Sequence, residues 1–355
     1  MNWSDLSVVV TGGASFIGSH LADNLVQLGA RVAILDDFSS GRYENLRGCK
    51  ERVQIQRVNL REYSEARAAI PEGAIVFHLA AEHGGRAFID THPFECWSNI
   101  TLDQIVFRAA FDRKCNKIIY ASSACVYPIS LQEKGKRIWL SEEAAGYYEG
   151  RREADGEYGW AKLIGEATLQ SLVKQRGIKG AVARIFSAYG PRENETHAVL
   201  AWIARAFARQ DPFPIWGDGK QERNFTYVGD IVDGLIRLAE RVDDGTAVNL
   251  GHDEAIVVNE GVRSVCNAMG HEPKFVYDSS KPVGVYTRMA DLKRAQRVLN
   301  WRPTVSFKRG LSTTIEWYKA NRDAHFVSEN LEKLLWERNA LPDMGIGTPN
   351  NLVRV

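Results

Sequence analysis

The chain has 355 residues, 45% hydrophobic and 25% charged, a composition that gives a globular protein of one large or two ordinary domains and excludes disorder as its main state. Lys and Arg number 45 against 44 Asp and Glu, a formal charge of +1, so no bulk basic field offers itself to nucleic acid or to an anionic membrane. No apolar run approaches the ~20 residues of a membrane span, and a Val-rich strand begins within seven residues of the amino terminus, which leaves no room for a signal peptide and points to a cytoplasmic protein.

The first forty residues read as strand, turn, helix and strand. Ser7–Val10 is followed by Thr11-Gly12-Gly13-Ala14-Ser15-Phe16-Ile17-Gly18, then by an apolar stripe at Ile17, Leu21, Leu25 and Leu28 that Gly29 closes, then by the strand Arg31–Leu35. Further apolar strands are expected at Val53–Ile55, Ala74–Leu79, Lys117–Tyr120 and Ala181–Phe186, with helices at Ile100–Ala110 and Trp160–Lys174 between them. Such alternation predicts an α/β fold with a Rossmann-type, doubly wound parallel sheet. After Tyr189-Gly190-Pro191 the alternation lapses, although Val248–Gly251 reads as one more strand.

The expected domains are therefore a nucleotide-binding domain over residues 1–188, to which 225–251 returns, and a smaller mixed α/β substrate domain over 189–322. A helical tail over 323–355 follows, carrying Leu331, Leu334 and Leu335. The tail and a polar insertion from Ser130 to Glu157 stand apart, without evident chemistry. Five scattered cysteines, Cys49, Cys96, Cys115, Cys125 and Cys266, form neither a CxxC pair nor a disulfide framework, and no metal-ligand set is expected.

The turn at Gly12–Gly18 presents backbone amides and the positive end of a helix dipole, which suit a pyrophosphate. Gly12 takes the tight turn and Gly18 allows close helix packing, while Ser15 holds the middle position of G-x-x-G-x-x-G, small enough to be tolerated. Asp36, eighteen residues after Gly18 at the end of the second strand, suits the adenosine ribose diol and repels a 2′-phosphate, so NAD is expected rather than NADP. Tyr158-Gly159-Trp160-Ala161-Lys162 sets Tyr and Lys four apart on one helix face. An ammonium there would favour the phenolate and make Tyr158 a base near neutral pH. The spacing is common by chance, but here it accompanies the glycine turn and a Ser122-Ser123-Ala124-Cys125 segment leaving a strand at the sheet's carboxyl edge.

Together with Leu79-Ala80-Ala81, Asn99, Tyr189-Gly190-Pro191 and Trp216-Gly217-Asp218-Gly219 leading to Arg223 and Asp230, these motifs resemble the extended short-chain dehydrogenase/reductases of the NAD-dependent sugar-nucleotide epimerase/dehydratase family. The resemblance covers about residues 7 to 320. It implies that Ser123, Tyr158 and Lys162 form the catalytic triad. It also implies that Gly12, Ser15, Phe16, Ile17, Gly18, Asp36, Asn59, Leu60, Leu79, Ala80, Ala81 and Asn99 bind NAD with Tyr158 and Lys162. Gly84, Gly85, Ser187, Arg223 and Arg288 would bind the nucleoside-diphosphate sugar, the two arginines as a planar clamp for the diphosphate. A homodimer is implied by analogy.

Within the family, Ser122–Pro128 with Ala81-Glu82-His83-Gly84-Gly85 upstream resembles the GDP-mannose 3,5-epimerase and GDP-fucose synthase branches, which use a cysteine at this place as an acid/base at carbons 3 and 5. Glu193-Asn194-Glu195-Thr196-His197 resembles the version whose second partner is histidine, making Cys125 and His197 the pair. Oxidation of carbon 4 would make the neighbouring hydrogens acidic, and inversion then needs one group to remove a proton and another to deliver one to the opposite face. Two positions depart from the common pattern, Asn59 in place of Asp and Ser187 in place of Asn, and the Thr-Asp-Glu of 4,6-dehydratases is replaced by Ser123-Ala124-Cys125. Dehydration is therefore not expected. The readings left open are a 3,5-epimerase, a plain 4-epimerase in which Cys125 is a bystander, an epimerase/4-keto-reductase, and a non-catalytic NAD sensor on the same fold.

Overall fold

The computed structural model describes residues 1–147 and 153–341, and the backbone of 352–354. Parts of the expected insertion and tail, residues 148–152, 342–351 and 355, lie outside the described residues. The first half lays down β1 (Ser7–Thr11), α1 (Phe16–Gln27), β2 (Arg31–Asp36), β3 (Val53–Arg57), α2 (Tyr63–Ala69), β4 (Ile75–His78), α3 (Arg86–Thr91), α4 (Pro93–Asp112) and β5 (Lys117–Ser123). Next come β6 (Trp139–Leu140), α5 (Gly156–Arg176), β7 (Lys179–Ile185), β8 (Ala188–Tyr189), α6 (Ala198–Phe207), β9 (Phe213–Trp216), β10 (Glu222–Arg223), β11 (Thr226–Tyr227), α7 (Val228–Arg241) and β12 (Asp244–Leu250).

Seven parallel strands stand in the order β12-β7-β5-β4-β1-β2-β3, and Leu352–Arg354 pairs with the outer edge of β3. Because helices cover both faces, the strands are apolar in successive positions rather than alternately. Val8 and Val10 face one core with Leu21, Leu25 and Leu235, while Val9 faces the other with Val106, Phe107 and Ile118. Strand order reverses between β1 and β4, and the crevice outside their carboxyl ends is where ligands bind in such sheets. Thr11 Oγ1 ties those two ends together, accepting from the amides of Leu79 and Ala80 at 3.1 Å.

The second lobe contains a four-stranded sheet in which β6 pairs with Thr287–Ala290, so the segment read as a polar insertion is stitched into the fold. Buried Arg184 secures it further, donating to the carbonyls of Glu142 at 2.8 Å and Ala145 at 2.9 Å. The tail does not stand apart either. Helices Ala324–Glu329 and Leu331–Trp336 bring Val327, Leu331, Leu334 and Leu335 into one apolar core with Leu200, Ile203, Phe225 and Ile315. Its last described piece, Leu352–Arg354, is a strand and not the helix expected there.

Candidate active site

One cleft runs from the β1–α1 turn, past the ends of β4, β5 and β7, into the second lobe. At its first end Gly12 has φ +65°, and a Cβ there would lie 2.9 Å from Ala80 N. A Cβ on Gly18 would lie 2.3 Å from Gly12 O. Glycine at these places lets the turn close on β4 and lets α1 start at once. No side chain caps α1 at Ser15, so its leading amides are left for an anion. Asp36 accepts from Ala14 N and Phe38 N, both at 2.9 Å, and its burial pushes the carboxyl up to about 6. Val58, Leu60, Ala80 and Ala81 form a recess beside it, and these features fit a dinucleotide.

Two residues expected to bind the cofactor, Asn59 and Asn99, line neither this cleft nor the recess beside it. Asn59 is exposed and its side chain turns back to accept from Arg61 N at 3.1 Å, because a local side-chain-to-backbone turn competes successfully with an outward pose. Asn99 is fully buried and holds the 80s loop from behind, accepting from Glu82 N at 2.8 Å and donating to Glu82 O and Cys96 O at 2.9 Å.

At the centre Ser123 Oγ accepts from Cys125 N at 3.1 Å, turning the chain sharply after β5. The start of α5 presses on this turn: Asp155 N donates to Cys125 O at 2.8 Å, and a Cβ on Gly159 would lie 2.2 Å from the same oxygen. That contact sets Tyr158 in an apolar cluster with Ile89, Cys96 and Cys125. Lys162 lies one turn on, fully buried, with Nζ 4.7 Å from the Tyr120 ring centroid and 5.9 Å from that of Tyr158.

The ammonium does not lower Tyr158 in this state, contrary to the sequence expectation. Burial pushes Tyr158 well above the ordinary phenol, with Cys125, Asp103 and Cys96 adding to it, and it pushes Lys162 below the ordinary lysine against the pull of Asp103 and Glu166. Desolvation outweighs a charge at that distance.

Beyond Tyr158 lie residues to which sequence reasoning gave no role. The His83 ring is centred 6.2 Å from that of Tyr158 and 5.7 Å from that of His197. Gly84 and Gly85 line the cleft beside it, and a Cβ on Gly85 would fall 1.8 Å from Thr196 O, so glycine is what lets the 80s loop meet the His197 loop. Burial, then Arg338, pushes His197 down to about 4. Arg338 arrives from the tail, donating to His83 O at 2.7 Å and pairing with Glu82. Leu335, Arg338 and Leu341 all line the cleft, and Arg42 donates to Leu341 O at 3.1 Å. Lacking any motif, the tail gave no signal of this in the sequence.

Toward the second lobe Arg288 donates to Gln132 Oε1 at 2.8 Å, to Asp155 Oδ2 at 2.6 Å and to Cys125 Sγ at 3.2 Å. Asp155 also accepts from Arg86 at 2.9 and 3.0 Å. Arg223 donates to the carbonyls of Glu222, Val283, Val285 and Tyr286. Burial, with Arg288 nearby, pushes it down to about 9, so an anion arriving here would relieve its desolvation. Ser187, at φ +23°, lines the cleft between this region and β7.

The model of the family described as "NAD dependent epimerase/dehydratase family" matches residues 8–251. The chain belongs to that family. Among its relatives is the GDP-mannose 3,5-epimerase of Arabidopsis thaliana, 31% identical over 322 residues that cover 89% of this chain and 82% of the relative. The UDP-glucose 4-epimerase of Thermotoga maritima, solved with UDP-glucose, superposes with a TM-score of 0.79 at 26% identity, covering 89% of this chain and 99% of that one. MoeE5, solved with UDP-glucuronic acid and NAD, superposes with a TM-score of 0.75 at 29% identity, covering 89% of this chain and 100% of that one. Like the family, the chain is an NAD-dependent enzyme of sugar-nucleotide chemistry, with no helix among the described residues long and apolar enough to cross a membrane.

Proposed function

We propose that the chain is a sugar-nucleotide epimerase that oxidises carbon 4 of a nucleoside-diphosphate hexose, inverts carbons 3 and/or 5 through Cys125 and His197, and returns the hydride. The observation that carries this reading is that Cys125 and His197 line the same cleft as Tyr158 and Lys162. Similarity to a GDP-mannose 3,5-epimerase over most of the chain supports it. In this reading Gly12, Ser15–Gly18, Asp36, Leu60 and Leu79–Ala81 would hold NAD, which would supply the hydride acceptor and a positive charge to the site. Tyr158 takes the hydroxyl proton of carbon 4, helped by Lys162, and Ser123 orients that hydroxyl. Arg223 and Arg288 hold the diphosphate, with Gly84, Gly85 and Ser187 against the sugar. Cys125 then removes a proton next to the new ketone and His197 delivers one to the opposite face.

The test is turnover in deuterated water. A 3,5-epimerase places deuterium on carbons 3 or 5, whereas a plain 4-epimerase returns its own hydride and takes up none. The same reading carries a homodimer, checked by sedimentation, and a cytosolic location, checked by fractionation. Its domain limits are those of the sequence, 1–188 with 225–251, 189–322, and a tail from 323.

A further inference from the structure

Glu193 lies four residues before His197, in the loop that leads into α6, and is only 2% exposed. It lines the cleft, its Oε1 stands 3.6 Å from His197 Nδ1, and its Oε2 has no hydrogen-bond partner among the described residues. An isolated carboxylate is costly to bury, and a protonated carboxyl far less so. Thr196 Oγ1 is the other group at Nδ1, at 3.5 Å. The imidazole also neighbours His83, 5.7 Å away between ring centroids, whose carbonyl accepts from Arg338.

We propose that Glu193 supplies the proton that His197 delivers, the two acting as one relay; this rests on the reading of Cys125 and His197 as the epimerisation pair. In the delivering step the Glu193 O–H bond breaks as an N–H bond forms at Nδ1. The Nε2–H bond breaks as a C–H bond forms on the enolate carbon of the 4-keto sugar, and the negative charge ends on the Glu193 carboxylate. Cys125 keeps the proton it removed from the other face. After product leaves, His197 returns the Nδ1 proton to Glu193, Nε2 takes one from water and Cys125 gives one up.

Two further facts agree with the geometry. His197 is pushed down to about 4 by burial and Arg338, the direction that favours a neutral imidazole, which needs a second group to supply the proton it passes on. Burial, with Glu195 adding to it, pushes Glu193 above the carboxylate range against a backbone hydrogen bond at Gly190, the direction that favours the protonated carboxyl. A gap of 3.6 Å is loose for a hydrogen bond, as such contacts commonly are before substrate closes on them.

The experiment compares wild type, Glu193→Gln and Glu193→Asp in the full chain. The probe is whichever of GDP-mannose, UDP-glucuronic acid and UDP-glucose raises the melting temperature most. Rapid-mixing absorbance follows reduction of bound NAD, and NMR in deuterated water follows exchange and inversion at carbons 3 and 5. The expected result for Glu193→Gln is NAD reduction and KM within about twofold of wild type, continued exchange with retention through Cys125, and inversion slowed about 100-fold. An amide keeps the shape but has no proton to give, whereas Glu193→Asp should recover inversion to within about tenfold of wild type. Inversion by Glu193→Gln within about threefold of wild type overturns the relay, as does loss of NAD reduction in proportion to inversion, which marks a structural role. Wild-type enzyme that places no deuterium on carbons 3 or 5 overturns the parent reading itself, a different failure from a labelled wild type matched by Glu193→Gln.

Discussion

Arg288 Nη1 lies 3.2 Å from Cys125 Sγ while the same guanidinium donates to Asp155 at 2.6 Å and Gln132 at 2.8 Å. One planar group thus joins the β5 turn, the start of α5 and the second lobe. Lysine cannot reproduce that fork. Arg288→Lys is expected to raise KM for the sugar nucleotide about tenfold or more, about 1.4 kcal/mol of binding, whereas Cys125→Ser should leave KM within about twofold and abolish deuterium uptake. Steady-state kinetics decide it, and an unchanged KM in Arg288→Lys removes the arginine from the diphosphate.

Asp36 sets a pH dependence. With its carboxyl pushed up to about 6, NAD should bind best above that value, where the ionised group accepts from the ribose hydroxyls. Affinity should fall toward tenfold per pH unit below about 6. The folding term has the opposite sign: a raised carboxyl contributes stability present in full below its ordinary 3.8 and lost as pH rises through about 6. Calorimetric titration with NAD and NADP from about pH 5 to 7 checks both the slope and the preference, and Asp36→Ala should flatten the first and narrow the second.

Tyr158→Phe should retain NAD and sugar-nucleotide binding in a melting assay and lose turnover about 10³-fold. Because burial keeps the phenol protonated in the free protein, its deprotonation belongs to the ternary complex. Spectroscopic titration of free enzyme should therefore find no Tyr158 phenolate near neutral pH. A phenolate seen there would contradict the desolvated site.

Gly159→Ala places a methyl 2.2 Å from Cys125 O and Gly85→Ala one 1.8 Å from Thr196 O, both against backbone that cannot rotate away. Each should cost about 3 kcal/mol or prevent folding. Gly159→Ala should also reduce turnover in any folded fraction by parting Tyr158 from Cys125. Thermal melts and activity per folded molecule test this, and a wild-type melt for either variant would show the backbones less tightly opposed.

The sheet and its cofactor end were legible in the sequence because local patterns specify them. Val8–Val10, the Gly12–Gly18 turn and Asp36 each carry their meaning within a few residues. The centre was half legible. Tyr158 and Lys162 were found by spacing, but the direction of the Tyr158 shift depends on burial by Ile89, Cys96 and Cys125, contacts that no spacing encodes. Arg338, His83, Asp155 and Glu193 were not found because they reach the cleft through long-range packing. Asn59 and Asn99 make local backbone hydrogen bonds that their sequence positions do not announce, because an Asn side chain can satisfy itself on local backbone as readily as on a ligand.

The tail segment through Arg338 and Leu341 borders the cleft and is tied to both lobes that form it. Residues 331–336 are embedded in one lobe, Arg338 holds the 80s loop of the other, and Arg42 holds Leu341 beside the dinucleotide turn. Whatever occupies the cleft thus lies beside a short span of polypeptide held by polar contacts, which are easier to undo than a packed core. Loosening residues 337–341 is then expected to change cofactor residence time more than its affinity, and protease cutting in this span with and without NAD checks whether occupancy protects it.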